Sequence, residues 1–174
     1  MDYQDILESI SHEVSALAGA GKVASYIPEL AKVSPDRFGM ALITLDGQVF
    51  TVGDAQERFS VQSISKVFTL TLAIQQVGEK LFERVGKEPS GNPFNSLVQL
   101  EYERGIPRNP FINAGALVVT DELLSHLPDA KSAVLNFARR LSGSSNLEYD
   151  ASVAASERQT GFTNIALANF LKSH

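Results

Sequence analysis

Two short β-type runs, Phe38 to Leu45 and Gln48 to Val52, meet across Asp46-Gly47, and the rest of the sequence reads as helix or loop. Asp46-Gly47 predicts a type I′ hairpin turn, whose two central residues both take positive φ. A hairpin of two strands is not stable in water by itself. Its faces and edges must be covered, and no further strands are obvious in the sequence. The pattern therefore predicts a chain that is incomplete as a fold. Its open strand edge is expected to favour aggregation.

Upstream, Ile6, Ile10, Val14 and Leu17 recur at helical spacing. They predict an amphipathic helix over 2–18, ended by Gly19-Ala20-Gly21. Tyr26-Ile27-Pro28 opens a short apolar segment that runs through Leu30 and Val33. Downstream of the hairpin, Phe59-Ser60-Val61-Gln62 leads into a helix with Val67, Leu70, Ile74 and Val77 on its apolar face and Gly78 as C-cap. Residues 85–110 are rich in turn formers. Long irregular segments in compact domains are commonly functional, and Phe94, Leu97, Phe111 and Ile112 predict that this one is ordered. Helices are expected over 114–127 and 130–141. After the Ser142-Gly143-Ser144-Ser145 linker, another starts near Ser152 and breaks near Gly161, and a last one runs from Thr163 to the end. The reading is α+β, one domain over 1–174, with an N-terminal helix and hairpin (1–62) followed by a helical segment (63–174).

With 174 residues, 44% of them hydrophobic, the chain can bury a sizeable core. A net charge of -5 argues against nucleic acid as a partner. There is no cysteine, and His12, His126 and His174 stand apart without metal-ligand spacing, so no metal or other cofactor is expected. The acidic start Met1-Asp2-Tyr3-Gln4-Asp5 precedes no apolar run long enough for export or a membrane span. A soluble cytoplasmic protein is expected.

The candidate chemistry sits at Ser63-Ile64-Ser65-Lys66. Serine is a poor nucleophile until a base removes its proton. Three residues along a helix is about one turn, which puts Lys66 beside Ser63. Free N–H groups at a helix start favour a developing oxyanion. A serine N-cap followed by a solvated lysine has the same spelling.

Several stretches in order then resemble the serine-dependent glutaminases, related in fold to β-lactamases and transpeptidases. They are Gly21-Lys22-Val23-Ala24-Ser25-Tyr26-Ile27-Pro28, Gly53-Asp54, Phe59 through Lys66, Val85-Gly86-Lys87-Glu88-Pro89-Ser90-Gly91, Asn109-Pro110-Phe111-Ile112-Asn113-Ala114-Gly115-Ala116, and Ser156-Glu157 with Asn164 beyond. The resemblance implies hydrolysis of L-glutamine to L-glutamate and ammonia. Ser63 matches the nucleophile and Lys66 the residue that helps take its proton. Asn113, Glu157 and Asn164 match substrate-binding residues, Glu157 pairing with the α-ammonium. Gln62 and Tyr26 match secondary contacts. Asn113 could instead cap the following helix, Glu157 could be a solvated helix residue and Tyr26 a core residue. Assembly as a homo-oligomer, a tetramer in the family, is implied as well.

Thr163 stands where the family commonly has arginine. Family members also continue beyond His174. Their later part holds the remaining strands, a proton-transfer tyrosine and a second oxyanion donor. Two other readings stay open. One is a non-catalytic fragment acting in subunit association. The other is a penicillin-recognising enzyme, for which Ser90-Gly91-Asn92 mimics a second motif but follows Ser63 too closely, with no Lys-Ser/Thr-Gly triad. Since one oxyanion donor is commonly worth about 10²–10³ in rate, little or no glutaminase activity is expected of these 174 residues alone. Ammonia release from glutamine, compared with a longer version, is the measurement; equal turnover would overturn the expectation.

Overall fold

A computed structural model describes residues 2–174. In chain order the elements are α1 (Tyr3–Ser15), β1 (Gly39–Ile43), β2 (Val49–Gly53), α2 (Ser65–Val77), α3 (Leu97–Tyr102), α4 (Asn113–His126), α5 (Ala130–Ser142), α6 (Ala151–Thr160) and α7 (Phe162–Lys172). Short 3-10 turns cover Leu30–Lys32, Gln62–Ile64 and Gly78–Glu83. The chain divides into two compact units: Met1–Ser60 with Ala151–Thr160, and Val61–Asp150 with Gly161–His174.

In the first unit, Asp2 caps α1 by accepting from the Gln4 and Asp5 N–H groups. The helix packs on β2: Tyr3 and Phe50 meet as tilted rings 5.5 Å apart, and Gln4 Nε2 donates to the Thr51 carbonyl. The buried residue of α1 is Leu7, while Ile6, Ile10 and Leu17 are exposed. The inward stripe is thus rotated from the expected Ile6/Ile10 face, because the contact with β2 decides which side is covered.

β1 and β2 pair antiparallel, with Gly39 opposite Gly53 and Ile43 opposite Val49. The turn is not type I′. Gly47 takes φ +85, but Asp46 is not left-handed. The Gly47 N–H donates to the Thr44 carbonyl, and the Asp46 carboxylate is held by Thr44 Oγ1 and Gln48 Nε2. Those two bonds hold the Asp46 carboxyl below its usual range. At the hairpin base, Gly53 lies so close to Phe38 that an added Cβ would stand 2.3 Å from the Phe38 carbonyl oxygen. Asp54 then binds the Phe38 N–H and Arg37. The Gly53-Asp54 pair is a structural clasp.

The second unit is helical. Leu72 and Ala73 of α2, Leu81 and Val85, Val118, Val119 and Leu123 of α4, and Ala130 and Phe137 of α5 form one core. Leu100, Ile112, Ala114 and Leu167 form a second, continued by Phe170 and Leu171 of α7. α4 is apolar on several sides, as a helix surrounded by neighbours must be. The α2 face agrees only in part with the expected one: Leu70 and Val77 pack against this core, but Val67 and Ile74 are exposed, and Leu72 and Ala73 are the buried residues. Gly78 does end α2, at φ 60. The turn-rich segment is ordered but contains α3, which composition did not reveal; Ser96 caps it through the Gln99 N–H.

Adjacent residues on α4 test the packing. Leu123 is 1% exposed and Leu124 64%. Leu123→Ala should destabilise this unit by about 2–5 kcal/mol, whereas Leu124→Ala should stay within about 0.5 kcal/mol. Urea unfolding of the two variants measures the difference.

Candidate active site

The site grows from the way two loops hold the start of α2 and α4. Before α2, Gln62 takes a left-handed φ of 48, which a non-glycine residue adopts only where its surroundings impose it. The Gln62 carbonyl accepts from the Ser65 hydroxyl at 2.7 Å. Ser63 therefore lies in the 3-10 turn just ahead of α2, exposed, rather than within the helix.

Lys66, on the first turn of α2, is half-buried. Its Nζ donates to the Phe111 carbonyl at 2.9 Å and to Asn113 Oδ1 at 2.8 Å, and it stands 5.7 Å from the Phe94 ring centroid. Burial pushes its pKa below the ordinary lysine value of 10.5, because a low-dielectric surrounding disfavours the ammonium. Among the described residues the Ser63 hydroxyl takes no hydrogen bond, so the amine is engaged with α4 and the loop before it. The Asn113 amide completes the line: its Nδ2 donates to Asn164 Oδ1 on α7 at 3.0 Å. Asn113 is the first residue of α4, and its side chain makes no cap bond there. The capping alternative is not realised.

Ser63, Gln62, Lys66, Asn113 and Asn164 belong to the second unit, and the structure brings Lys66, Asn113 and Asn164 into direct contact. Tyr26 and Glu157 belong to the first. Tyr26 is 68% exposed and so is not a core residue. Glu157 is exposed on α6, beside Ser156, whose Oγ accepts the Glu29 N–H at 3.3 Å. Glu157 and Asn164 do not share a helix, since the chain breaks at Gly161 between α6 and α7.

Two contributors were not legible as site residues. The Phe111 carbonyl is a backbone group, which side-chain chemistry cannot flag. Phe94 reaches Lys66 from the irregular segment, where its apolar character signalled only order. Beside them, Leu70, Phe82, Phe94, Pro110 and Phe111, together with residues 87–90 and Asn109, line an open concavity of about 500 Å³. Ser90-Gly91-Asn92 closes on itself, the Ser90 hydroxyl donating to the Asn92 carbonyl at 2.8 Å. Among the described residues, no group of three or more acidic or histidine side chains could hold a metal ion, and no helix is long and apolar enough to cross a membrane.

The backbone packing beneath the site is tight enough to test. A Cβ at Gly115 would stand 1.9 Å from the Asn109 carbonyl oxygen, whereas one at Gly91 would meet nothing within 4 Å. Gly115→Ala should severely destabilise the second unit and Gly91→Ala should not; thermal unfolding of the two variants reads the contrast.

Comparison with known proteins fits this architecture. The glutaminase family model matches residues 21–174. The chain is 57% identical over 173 residues to a glutaminase of Christiangramia forsetii, covering 99% of this chain and 57% of that protein. It is 57% identical over 175 residues to a thermolabile glutaminase of Rhizobium etli, with the same coverage of each. Among solved structures, Mglu in its tris and glutamate form superposes with a TM-score of 0.88 at 35% identity, over 98% of this chain and 38% of that one. A probable glutaminase of Bacillus subtilis superposes at 0.82 and 29% identity, over 98% and 52%. The chain thus spans about half the length of the relatives it matches. Its α+β architecture is the β-lactamase-like one of those neighbours, in their N-terminal part, and the chain belongs to the glutaminase family.

Proposed function

We propose that these residues form the nucleophile-bearing part of a serine glutaminase that hydrolyses L-glutamine to L-glutamate and ammonia. The observation that carries the reading is the hydrogen-bonded line Lys66–Asn113–Asn164, anchored one turn from Ser63. Ser63 Oγ attacks the side-chain amide carbon of glutamine, and Lys66 takes the hydroxyl proton. One donor for the tetrahedral oxyanion is the backbone N–H of Ser63 itself, since the next N–H groups, of Ile64 and Ser65, already donate to the Val61 and Gln62 carbonyls. Collapse expels the amide nitrogen, which leaves as ammonia after gaining a proton, and forms a glutamyl ester on Ser63. Water then hydrolyses the ester, releasing glutamate and restoring the hydroxyl.

Three features support this assignment. Lys66 is partly desolvated, and a base must be able to exist as the neutral amine. Ser63 is exposed and its hydroxyl is not tied down, and nucleophile–base contacts often tighten only when substrate is bound. Asn113 and Asn164 present paired amides that can donate and accept, the chemistry a polar zwitterion requires. Glu157 and Tyr26 serve as substrate contacts in the same reading, Glu157 for the α-ammonium. Gln62 is a secondary substrate contact in this reading, and its left-handed backbone precedes Ser63. Homo-oligomeric assembly belongs to this reading too and is read by light scattering.

A γ-diazo-ketone analogue of glutamine tests the nucleophile. It should add one adduct, mapped by mass spectrometry to Ser63, and Ser63→Ala should abolish it. In a version extended to the relatives' length, Ser63→Ala should lower ammonia release by about 10³-fold or more. An adduct on another residue would sink the reading. The pH dependence follows from the same chemistry. The base works only when unprotonated, so kcat/KM should rise with pH along a limb lying below 10.5. Lys66→Arg, which stays protonated, should abolish that limb; stopped-time ammonia assays across pH measure it.

A further inference from the structure

We propose that Asn109 is a positioning residue for Lys66, fixing the run into α4 whose Phe111 carbonyl and Asn113 side-chain oxygen hold the lysine amine. The proposal rests on Lys66 acting as the base in the reading above, and it concerns a residue that reading leaves without a role.

Asn109 is 9% exposed, one of two buried polar residues among those described. Three hydrogen bonds hold its side chain. Oδ1 accepts from the Phe111 N–H at 2.9 Å and the Ile112 N–H at 3.1 Å, using both lone pairs. Nδ2 donates to the Glu88 carbonyl at 2.8 Å. Pro110 explains the arrangement: it has no N–H, and it drives the residue before it to an extended backbone. The first donors after Asn109 are therefore those of Phe111 and Ile112, and they fold back onto its side chain. The backbone of 107–109 is held from both sides. Gly86 and Glu88 donate to the Pro107 and Arg108 carbonyls at 2.7 and 2.8 Å. Gly115 of α4 approaches the Asn109 carbonyl at a distance no side chain could share.

The consequence falls on Lys66. The N–H of Phe111 is bound by Asn109 and the carbonyl of Phe111 receives Lys66 Nζ. Ile112 separates that carbonyl from Asn113, whose Oδ1 is the second acceptor. One side chain thus fixes the peptide run that carries both acceptors. Two is also the number of N–H groups on a neutral amine. Deprotonated Lys66 can serve both oxygens and leave its single lone pair in a defined direction; with the loop loose, the amine would rotate and hydrate. Removing Asn109 should therefore act on the lysine without touching it.

The test reads Lys66 directly in the 174-residue chain. The ¹⁵Nζ resonance of Lys66, assigned by its loss in Lys66→Arg, is titrated by NMR alongside hydrogen exchange of the Phe111 and Ile112 amides. Asn109→Ala should raise the Lys66 midpoint by about one pH unit or more, a tenfold change in proton affinity, and speed exchange at both amides. Asn109→Ser, whose hydroxyl can accept from the same N–H groups, should recover part of each. Leu123→Ala, a loss of core packing elsewhere on α4, should leave the midpoint where it was. A folded Asn109→Ala chain with an unmoved Lys66 midpoint overturns the proposal. Should that variant fail to fold, Asn109→Ser decides. A raised Lys66 midpoint in Asn109→Ser supports positioning, and an unmoved midpoint refutes it. The titration needs no turnover, so its failure is separable from absence of the Ser63 adduct.

Discussion

The close approach of α4 to the Asn109 backbone is the constraint on which the second unit is built. Gly115 has no side chain, so the helix can lie against the Asn109 carbonyl. This places Ile112 and Ala114 in a core with Leu100 and Leu167, and so α4 against α7. The same contact delivers Asn113 from the first turn of α4 to Lys66 on one side and Asn164 on the other. A one-residue slip of α4 would carry Asn113 about 100° around the helix and break both bonds. The apolar packing that stabilises the unit therefore also sets the geometry of its polar line.

Element types were legible where spacing and punctuation agreed. The hairpin, α4, α5 and the break at Gly161 follow from alternation, 3.6-residue recurrence and glycine. Faces were less legible. α1 and α2 each carry apolar residues on more than one side, so periodicity cannot say which side meets a neighbour. β2 selects Leu7, and the α4–α5 core selects Leu72 and Ala73. The turn at Asp46-Gly47 departed from type I′ because Thr44 and Gln48 bind the Asp46 carboxylate. Local side-chain bonds can outweigh a two-residue preference.

The candidate site shows the same division. Ser63 and Lys66 stood out as a nucleophile–base spelling, whereas Asn113 and Asn164 were singled out only through the resemblance to the glutaminases. What joins three of these residues was not legible. The Phe111 carbonyl is a backbone atom, and Asn109 looked like one more turn former beside a proline. Its bonds to the Phe111 and Ile112 N–H groups are local, but its burial and its bond to the Glu88 carbonyl arise only once 86–88, 107–112 and α4 are assembled. Likewise, Glu157 and Asn164 are seven positions apart in sequence yet belong to different units, because Gly161 ends one helix and starts the next.

Two opposed effects act on Lys66, and their balance explains why a lysine suits the position. Burial disfavours the ammonium, whereas two carbonyl-type acceptors favour any form that can donate to them. A third acceptor or a carboxylate on Nζ would hold all three protons, and the amine would stay charged. With two neutral acceptors, losing one proton leaves no oxygen unserved, so deprotonation sacrifices no hydrogen bond while relieving the buried charge. Arginine could not use this arrangement, since its guanidinium does not deprotonate in proteins. The number and neutrality of the acceptors, set by Phe111 and Asn113, are therefore what let burial lower the Lys66 pKa.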